Sequence, residues 1–269
     1  MVDDMKKIGL IAGGGQLPLE FVKRAKSRGE KIIVFALQGM ALSDIEKEAD
    51  KVYWLRIGQY AKFAFLLVKE KVRHLAMLGK VNKNVLYREE YEMEAKNSLD
   101  KLKTKKDYSI LREVTRHLSK IGVEVIDPAK YLEHLIPQKG VLSHVSPSES
   151  IKKDIEFGYS AAKQLADMDI GQTVIVKDKT IVAVEAMEGT DVVIERANEI
   201  AGRGCVMVKV SRTNQDPRWD VPTVGPDTMK KLVENKFSAL ALEHAKMFLI
   251  DKAEMVDIAD GNGIVLQVI

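Results

Sequence analysis

Short apolar segments alternate with amphipathic segments along the first half of the chain. Runs of mainly apolar residues predict four buried strands, at 7–13, 31–37, 52–57 and 74–81. Helical spacing predicts helices between or after these strands, at 18–28, 59–72 and 107–121. Ser43 and Glu46 form the capping-box pattern of a further short helix. Strands that alternate with helices predict a Rossmann-like domain with a mostly parallel sheet.

The second half also combines strands and helices, but its first two predicted strands follow each other directly. Helices are predicted near 148–166, 191–200 and 227–235, and strands at 173–178, 180–186 and 205–211 and in the stretches FSALALE, MFLID and IVLQVI. This order predicts a C-terminal α/β domain with a mixed sheet. The turn-rich stretch 136–150 lacks a clear period, so we expect domains at 1–140 and 141–269.

Composition restricts the classes of protein. The 42 basic and 39 acidic residues nearly cancel, and basic residues are not gathered into one tail, so nucleic acid is not an expected partner. Cys205 is the single cysteine, which fits a reducing compartment. The first residues are acidic where a signal peptide would be basic, and no apolar run is long enough for a membrane span. We therefore expect a cytoplasmic protein.

A glycine-rich turn follows the first predicted strand, in the sequence GLIAGGGQLPLEF. Gly13, Gly14, Gly15, Gln16 and Leu17 would form an anion site, because backbone N–H groups at a helix start attract phosphate. The match to the dinucleotide pattern G-x-G-x-x-G is imperfect, since a proline occupies the last glycine position. A mononucleotide or nucleotide sugar is thus favoured over NAD. A tight turn without a ligand is the alternative.

A second turn, Gly79-Lys80-Val81, ends another predicted strand at the same edge of the sheet. Lys80 could reach the same phosphate, or it could be a solvated loop lysine.

Acids, threonines and glycines occur together at three places in the second half. They are DIGQ at 169–172, VAVEAMEGTD at 182–191 and RWDVPTVGPDT at 218–228. Carboxylates at strand ends are ligands that Mg²⁺ takes, usually one or two beside substrate phosphates. Threonine hydroxyls and helix N-termini suit phosphate oxygens. The residues of interest are Glu185, Glu188, Gly189, Thr190 and Asp191 in the second stretch and Asp220, Thr223, Gly225 and Thr228 in the third.

Each of these groups except Asp220 has a structural alternative. Thr190 and Asp191 could cap the following helix, and Glu185 could form a structural ion pair. Asp227 and Thr228 could be ordinary first-turn residues. Asp220 precedes Val-Pro in a loop, where no helix cap explains it. The histidines show no metal-ligand spacing such as H-E-x-x-H.

Five stretches occur in one order along nearly the whole chain: GLIAGGGQLP, GKV, DIGQ, VEAMEGTD and DVPTVG. Together they resemble the two-domain family of UDP-2,3-diacylglucosamine pyrophosphatases that is unrelated to the metallophosphoesterases. The resemblance implies metal-dependent hydrolysis of UDP-2,3-diacylglucosamine to UMP and 2,3-diacylglucosamine 1-phosphate, by attack of water on the α-phosphorus, in lipid A synthesis. It implies Mg²⁺ or another divalent cation as the cofactor.

The same resemblance assigns roles to residues. Asp220 matches the catalytic aspartate and is the implied metal ligand, with Asp191 as a second catalytic candidate. Glycines 13–15, Gln16, Leu17, Lys80, Glu188, Gly189, Thr190, Thr223 and Gly225 are the implied substrate-binding residues. A UDP-linked glycolipid is the implied partner, and contact with a membrane surface and a homodimer are further expectations. The alternatives are a nucleotide-sugar or NAD-binding protein of other activity, or a non-catalytic nucleotide or lipid sensor.

Overall fold

A computed structural model describes residues 7–81, 107–219 and 221–269 of the chain. The chain divides between Glu133 and His134 into two compact units, called unit 1 and unit 2 here. Residues 217–219 belong to unit 1, although they come from the second half of the sequence. The charge-rich stretch 82–106, for which the sequence predicts a helix or a mobile excursion, lies outside the described residues.

Unit 1 is built on one parallel sheet. Its strands are β1 (Lys7–Ala12), β2 (Lys31–Leu37), β3 (Lys51–Leu55), β4 (His74–Leu78) and β5 (Glu124–Val125). They lie in the order β3-β2-β1-β4-β5, and every pairing is parallel. The order reverses at β1, so the loop after β1 lies at the topological switch point, where open α/β sheets bind ligands.

Helices cover both sides of this sheet. They are α1 (Leu17–Ser27), α2 (Ile45–Glu48), α3 (Tyr60–Lys69), α4 (Asp107–Lys120) and α5 (Ala129–Leu132), followed by a 3₁₀ turn at Glu133–Leu135. One core cluster joins the inner sides of α3 and α4 to the sheet. It includes Phe35, Leu67, Leu75 and Leu118, together with Trp219 from the returning segment.

Unit 2 contains a mixed sheet of six strands. The strands are β6 (Gly140–Val141), β7 (Thr173–Lys177), β8 (Thr180–Val184), β9 (Val206–Lys209), β11 (Ala239–Leu242) and β13 (Val265–Val268), in the order β6-β13-β11-β9-β7-β8. The inner strands β13, β11 and β9 are parallel, whereas β6 and the β7–β8 hairpin run antiparallel to their neighbours. Strands β10 (Thr223–Val224) and β12 (Phe248–Leu249) form a separate parallel pair.

The helices of unit 2 are α6 (Glu149–Asp167), α7 (Thr190–Ala201), α8 (Pro226–Glu234) and α9 (Lys252–Gly261). One core cluster forms between the sheet and α7, α8 and α9, and a second forms between the sheet and α6. Strands β9 and β11 are buried throughout, which explains why they read as mainly apolar runs.

The predicted fold class is confirmed: a mostly parallel Rossmann-like sheet in the first half and a mixed sheet in the second. The predicted capping box at Ser43 and Glu46 is wrong. Helix α2 begins after Asp44 without a side-chain cap, and the Glu46 carboxylate accepts a hydrogen bond from the Trp54 indole instead. Within the described residues, the helices are too short or too polar to traverse a lipid bilayer.

Candidate functional site

The glycine turn of unit 1 is bound to the turn after β4 by backbone hydrogen bonds. Gly14 and Lys80 donate to each other's carbonyl oxygens at 2.8 and 2.9 Å, and the Gly13 N–H donates to the Leu78 carbonyl at 2.8 Å. The sequence placed both turns at one edge of the sheet, and the structure brings them together. Lys80 is exposed beside the glycine turn.

Close packing of these two turns explains two of the glycines. A Cβ atom at Gly13 would lie 2.6 Å from the Lys80 carbonyl oxygen, and one at Gly79 would lie 2.7 Å from the Gly13 carbonyl carbon. Gly15 is different, because its φ of +90° favours glycine while the space beside it is open. Gly13 thus maintains contact within the protein, and Gly15 provides the turn into α1.

The N–H groups of the turn differ in whether they are already hydrogen-bonded within the protein. The N–H groups of Gly13 and Gly14 are already bonded to carbonyl oxygens, so they do not serve a ligand. In the described part of the chain, no acceptor receives the N–H groups of Gly15, Gln16 and Leu17. These groups open α1, which has 11 residues, and the helix dipole adds partial positive charge there.

A buried lysine organises the corresponding edge of the sheet in unit 2. Lys209, the last residue of β9, donates to the hydroxyl oxygens of Thr173 and Thr190, each at 3.0 Å. It also pairs with the Glu185 carboxylate at 3.4 Å. The Thr190 hydroxyl in turn donates to Glu185 at 2.8 Å. We call these four residues the Lys209 cluster; it ties β7, β8 and β9 to the start of α7.

The Lys209 cluster decides between the alternatives for Glu185 and Thr190. Glu185 forms the structural ion pair that the sequence left open. The capping interpretation of Thr190 and Asp191 is wrong, because Gly189 is the N-cap residue and makes no side-chain cap. Burial raises the pKa of Glu185, but Lys209 and the hydrogen bonds from Thr173 and Thr190 outweigh burial, so that this pKa lies below its ordinary value.

Two acids of the same loop remain to be placed. Glu188 is bound to Arg196 at 2.6 Å and accepts the Ala186 N–H at 3.1 Å. Asp191 is exposed in the first turn of α7. Among the predicted acids of this stretch, Asp191 is the one that the structure leaves open to solvent without a paired cation in the described residues.

The DIGQ stretch packs directly against the loop after β8. A Cβ atom at Gly171 would lie 1.9 Å from the Glu185 carbonyl oxygen, so only glycine fits against that backbone. Asp169, with a φ of +62°, forms an ion pair with Arg212. The structure therefore brings DIGQ and the loop after β8 together, and DIGQ acts there through packing.

The DVPTVG stretch forms β10 and the start of α8. The Thr223 hydroxyl donates to the Val221 carbonyl at 3.1 Å, which closes a local turn. Gly225 is the N-cap of α8, and Asp227 and Thr228 lie in the first turn of that helix. This agrees with the structural alternative for these two residues, in which they are ordinary first-turn residues. Asp220 lies outside the described residues, so its predicted catalytic role stays a prediction.

A second buried ion pair lies on the α6 side of the sheet and was missed by the sequence analysis. Glu243 directly follows β11, is 6% exposed, and pairs with Lys163 of α6 at 3.1 Å. Its carboxylate also accepts the Ser211 N–H at 2.7 Å. An acid directly after a wholly apolar strand was the signal available in the sequence.

The described residues contain no cluster of three or more acidic, histidine or cysteine side chains arranged for a metal ion. Glu185 and Glu188 are each occupied by a cation, which makes them unsuitable as metal ligands. Cys205 is buried, and burial raises the pKa of its thiol. Within the described residues, Asp191 has neither an ion-pair partner nor a cluster of further metal-ligating side chains around it.

The fold defines a two-unit α/β protein with a glycine-rich turn at the switch point of its Rossmann-like half. The sequence matches the LpxI N-terminal domain over residues 7–135 and the LpxI C-terminal domain over residues 138–267. The chain therefore belongs to the LpxI family.

Individual known proteins add to this assignment. The chain is 28% identical over 273 residues to the UDP-2,3-diacylglucosamine pyrophosphatase LpxI of Caulobacter vibrioides, covering 97% of this chain and 96% of that protein. Two solved biotin carboxylase domains of 2-oxoglutarate carboxylase, one from Hydrogenobacter thermophilus, are 17% and 16% identical. This chain spans 42% and 43% of those chains, with TM-scores of 0.27 and 0.28, too low to support an argument.

Proposed function

We propose that this protein hydrolyses the pyrophosphate bond of UDP-2,3-diacylglucosamine, releasing UMP and 2,3-diacylglucosamine 1-phosphate. One observation carries the proposal: both LpxI domains match, and a relative named for this activity aligns over 96% of its own length. A match in one domain alone would have supported only a shared fold. We place the reaction in the cytoplasm, as expected for a nucleotide-linked substrate.

In unit 1, the proposed role of the glycine turn is to bind the nucleotide phosphates. The N–H groups of Gly15, Gln16 and Leu17 would donate to phosphate oxygens at the start of α1. Lys80 would add a positive charge from the neighbouring turn. Gly13 and Gly14 would contribute by holding the two turns together, since their N–H groups are already bonded.

The proposed catalytic groups are two acids from the second half of the sequence, Asp220 and Asp191. Mg²⁺, which takes one or two carboxylates beside phosphate oxygens, would be bound by Asp220, and it would neutralise negative charge on the phosphoryl group. Asp191 would hold the attacking water. Among the acids of the loop after β8, Asp191 is the one available for this role, because Glu185 and Glu188 are paired with Lys209 and Arg196.

The test is release of UMP by Asp220→Asn, which keeps the side-chain shape and removes the charge. We expect kcat to fall by roughly 10²-fold or more with a smaller change in substrate affinity, because the carboxylate acts mainly in the transition state. Asp227→Asn is the matched control, since Asp227 is an exposed acid seven positions further on. Removal of metal by EDTA and its return as Mg²⁺ tests the cofactor in the same assay.

Near-normal turnover of Asp220→Asn over a range of Mg²⁺ concentrations would refute the assignment of Asp220 and make Asp191 the next candidate. Binding of the substrate by the wild-type protein without any UMP release would instead favour a non-catalytic sensor. Hydrolysis in ¹⁸O-water locates the attacked phosphorus, and we expect the label in UMP.

A further inference from the structure

The outer side of α3 carries the two most exposed large hydrophobic side chains in the described part of the chain. Val68 is 67% exposed and Phe65 is 64% exposed. Residues three and four apart are neighbours on a helix surface, so Ala61, Phe65 and Val68 form one continuous strip. We call these three residues the α3 strip. Leu66 and Leu67 point the other way and are buried in the core of unit 1.

Positively charged residues lie on α3 beside the α3 strip and directly after the helix. Residues 60–73 contain four basic residues and one acid. All four basic side chains are exposed, and within the described residues none of them forms an ion pair; they are Lys62, Lys69, Lys71 and Arg73. The acid, Glu70, is held by Lys51 at 2.7 Å and accepts a hydrogen bond from the Tyr53 hydroxyl. Lys62 and Lys69, which are seven positions apart, thus form a cationic flank along the α3 strip, and Lys71 and Arg73 follow the end of the helix.

We propose that α3 docks on an anionic lipid surface. Apolar side chains that enter the interface between headgroups and acyl chains, flanked by lysines that reach lipid phosphates, are the two requirements for interfacial binding by a helix. The sequence analysis expected contact with a membrane surface but did not assign that contact to any residues. The inference deepens the proposed function, because a substrate with two acyl chains resides in a bilayer.

Helix α7 provides a natural comparison within the same chain. It also exposes apolar side chains, Val192 at 47% and Ile200 at 62%, which are eight positions apart on one face. This helix contains three acids and one arginine. It lacks a cationic flank of this kind, so it should not bind anionic lipid, and its two exposed residues serve as a matched control.

The experiment is co-sedimentation of the full-length protein with vesicles, without substrate. Vesicles of equal parts phosphatidylcholine and phosphatidylglycerol are compared with vesicles of phosphatidylcholine alone. We expect Phe65→Ser/Val68→Ser to lower the partition coefficient on the mixed vesicles by about tenfold or more, whereas Val192→Ser/Ile200→Ser should leave it unchanged. Lys62→Gln/Lys69→Gln should weaken binding to the mixed vesicles, and Lys23→Gln/Lys153→Gln should not.

Absence of binding by the wild-type protein, or equal binding by the Phe65/Val68 variant, would overturn the proposal. Loss of self-association by that variant in sedimentation velocity, with no vesicle binding by wild type, would show that a second copy covers the strip. UMP release from detergent-dispersed substrate separates this proposal from the proposed function. Vesicle binding without hydrolysis would refute the function alone, and hydrolysis without vesicle binding would refute docking alone.

Discussion

Lys209 illustrates how a buried charge can order a sheet edge. Lysine is seldom buried without a partner, and here each of its three N–H donors has one: Thr173, Thr190 and Glu185. Loss of one partner would leave the other charge buried and uncompensated, which costs more than the intact pair contributes. The Lys209 cluster is therefore best tested by removing one member.

Glu185→Gln should lower the free energy of unfolding at pH 7 by about 3 kcal/mol, because it leaves Lys209 buried without a counter-charge. The pKa of Glu185 is lowered in the folded state, so its contribution is present above the unfolded-state pKa and is lost as pH falls through the folded-state value. The difference between wild type and variant should thus shrink in acid. Urea unfolding at several pH values measures both effects.

Glu199→Gln is the matched control, since Glu199 is exposed on α7 and should change stability little at any pH. A difference in the free energy of unfolding between wild type and Glu185→Gln that stays constant down to the acid limit would contradict the role given to the carboxylate charge.

The sequence alone offered an ion pair for Glu185 as one alternative. It could not identify the partner, because Lys209 lies 24 residues away and meets it only when β7 pairs with both β8 and β9.

At the scale of elements, the long segments were predictable, whereas only some of the very short strands were: β12 lies in the predicted stretch MFLID. The strand over 31–37 agrees with β2, because a strand buried on both faces reads as a continuous apolar run, and the helix near 107–121 agrees with α4, which has helical spacing. Strands β6 and β10 have two residues each and were missed. A two-residue strand has no period of its own, and it forms only because β13 or β12 supplies a partner.

Two helical glycines should respond to alanine in opposite directions. A Cβ atom at Gly158 in α6 would lie 2.7 Å from a methyl group of Val208 and 2.9 Å from one of Val176. Valine in a packed strand cannot rotate away, so Gly158→Ala should destabilise by about 1 kcal/mol or more. Gly261 in α9 has no atom within 4 Å of the same position, so Gly261→Ala should stabilise by roughly 0.5 kcal/mol.

Thermal or urea unfolding of the two variants in parallel tests this pair, and each serves as the control for the other. Equal effects of the two substitutions would show that helix propensity, and not the fit of α6 on the sheet, determines the outcome. Activity is not needed as a readout, since neither glycine belongs to the proposed site.

For the whole molecule, the least predictable feature is the return of residues 217–219 to unit 1. The sequence suggested one junction near 136–150, because that stretch is rich in turn residues. Nothing local in RWDVPTVG indicates that Trp219 belongs to the other unit, where it is 2% exposed among Phe35, Leu67 and Leu118. Membership of a core depends on surfaces formed by distant parts of the chain, which a single sequence does not display.

Trp219→Ala should therefore destabilise unit 1 by about 3 kcal/mol, since it removes a large side chain from a packed cluster. Trp219→Phe fills part of the same space and should cost less. Urea unfolding followed by far-UV circular dichroism measures both. An unchanged transition for the alanine variant would show that residue 219 does not support that core.

The position of Trp219 also determines what optical spectroscopy reports. The chain has two tryptophans, Trp54 in β3 and Trp219, and both belong to unit 1. Intrinsic tryptophan emission therefore follows mainly the unfolding of unit 1, whereas the circular dichroism signal averages over both units. Disagreement between the two signals during denaturation would thus measure how independently the units melt.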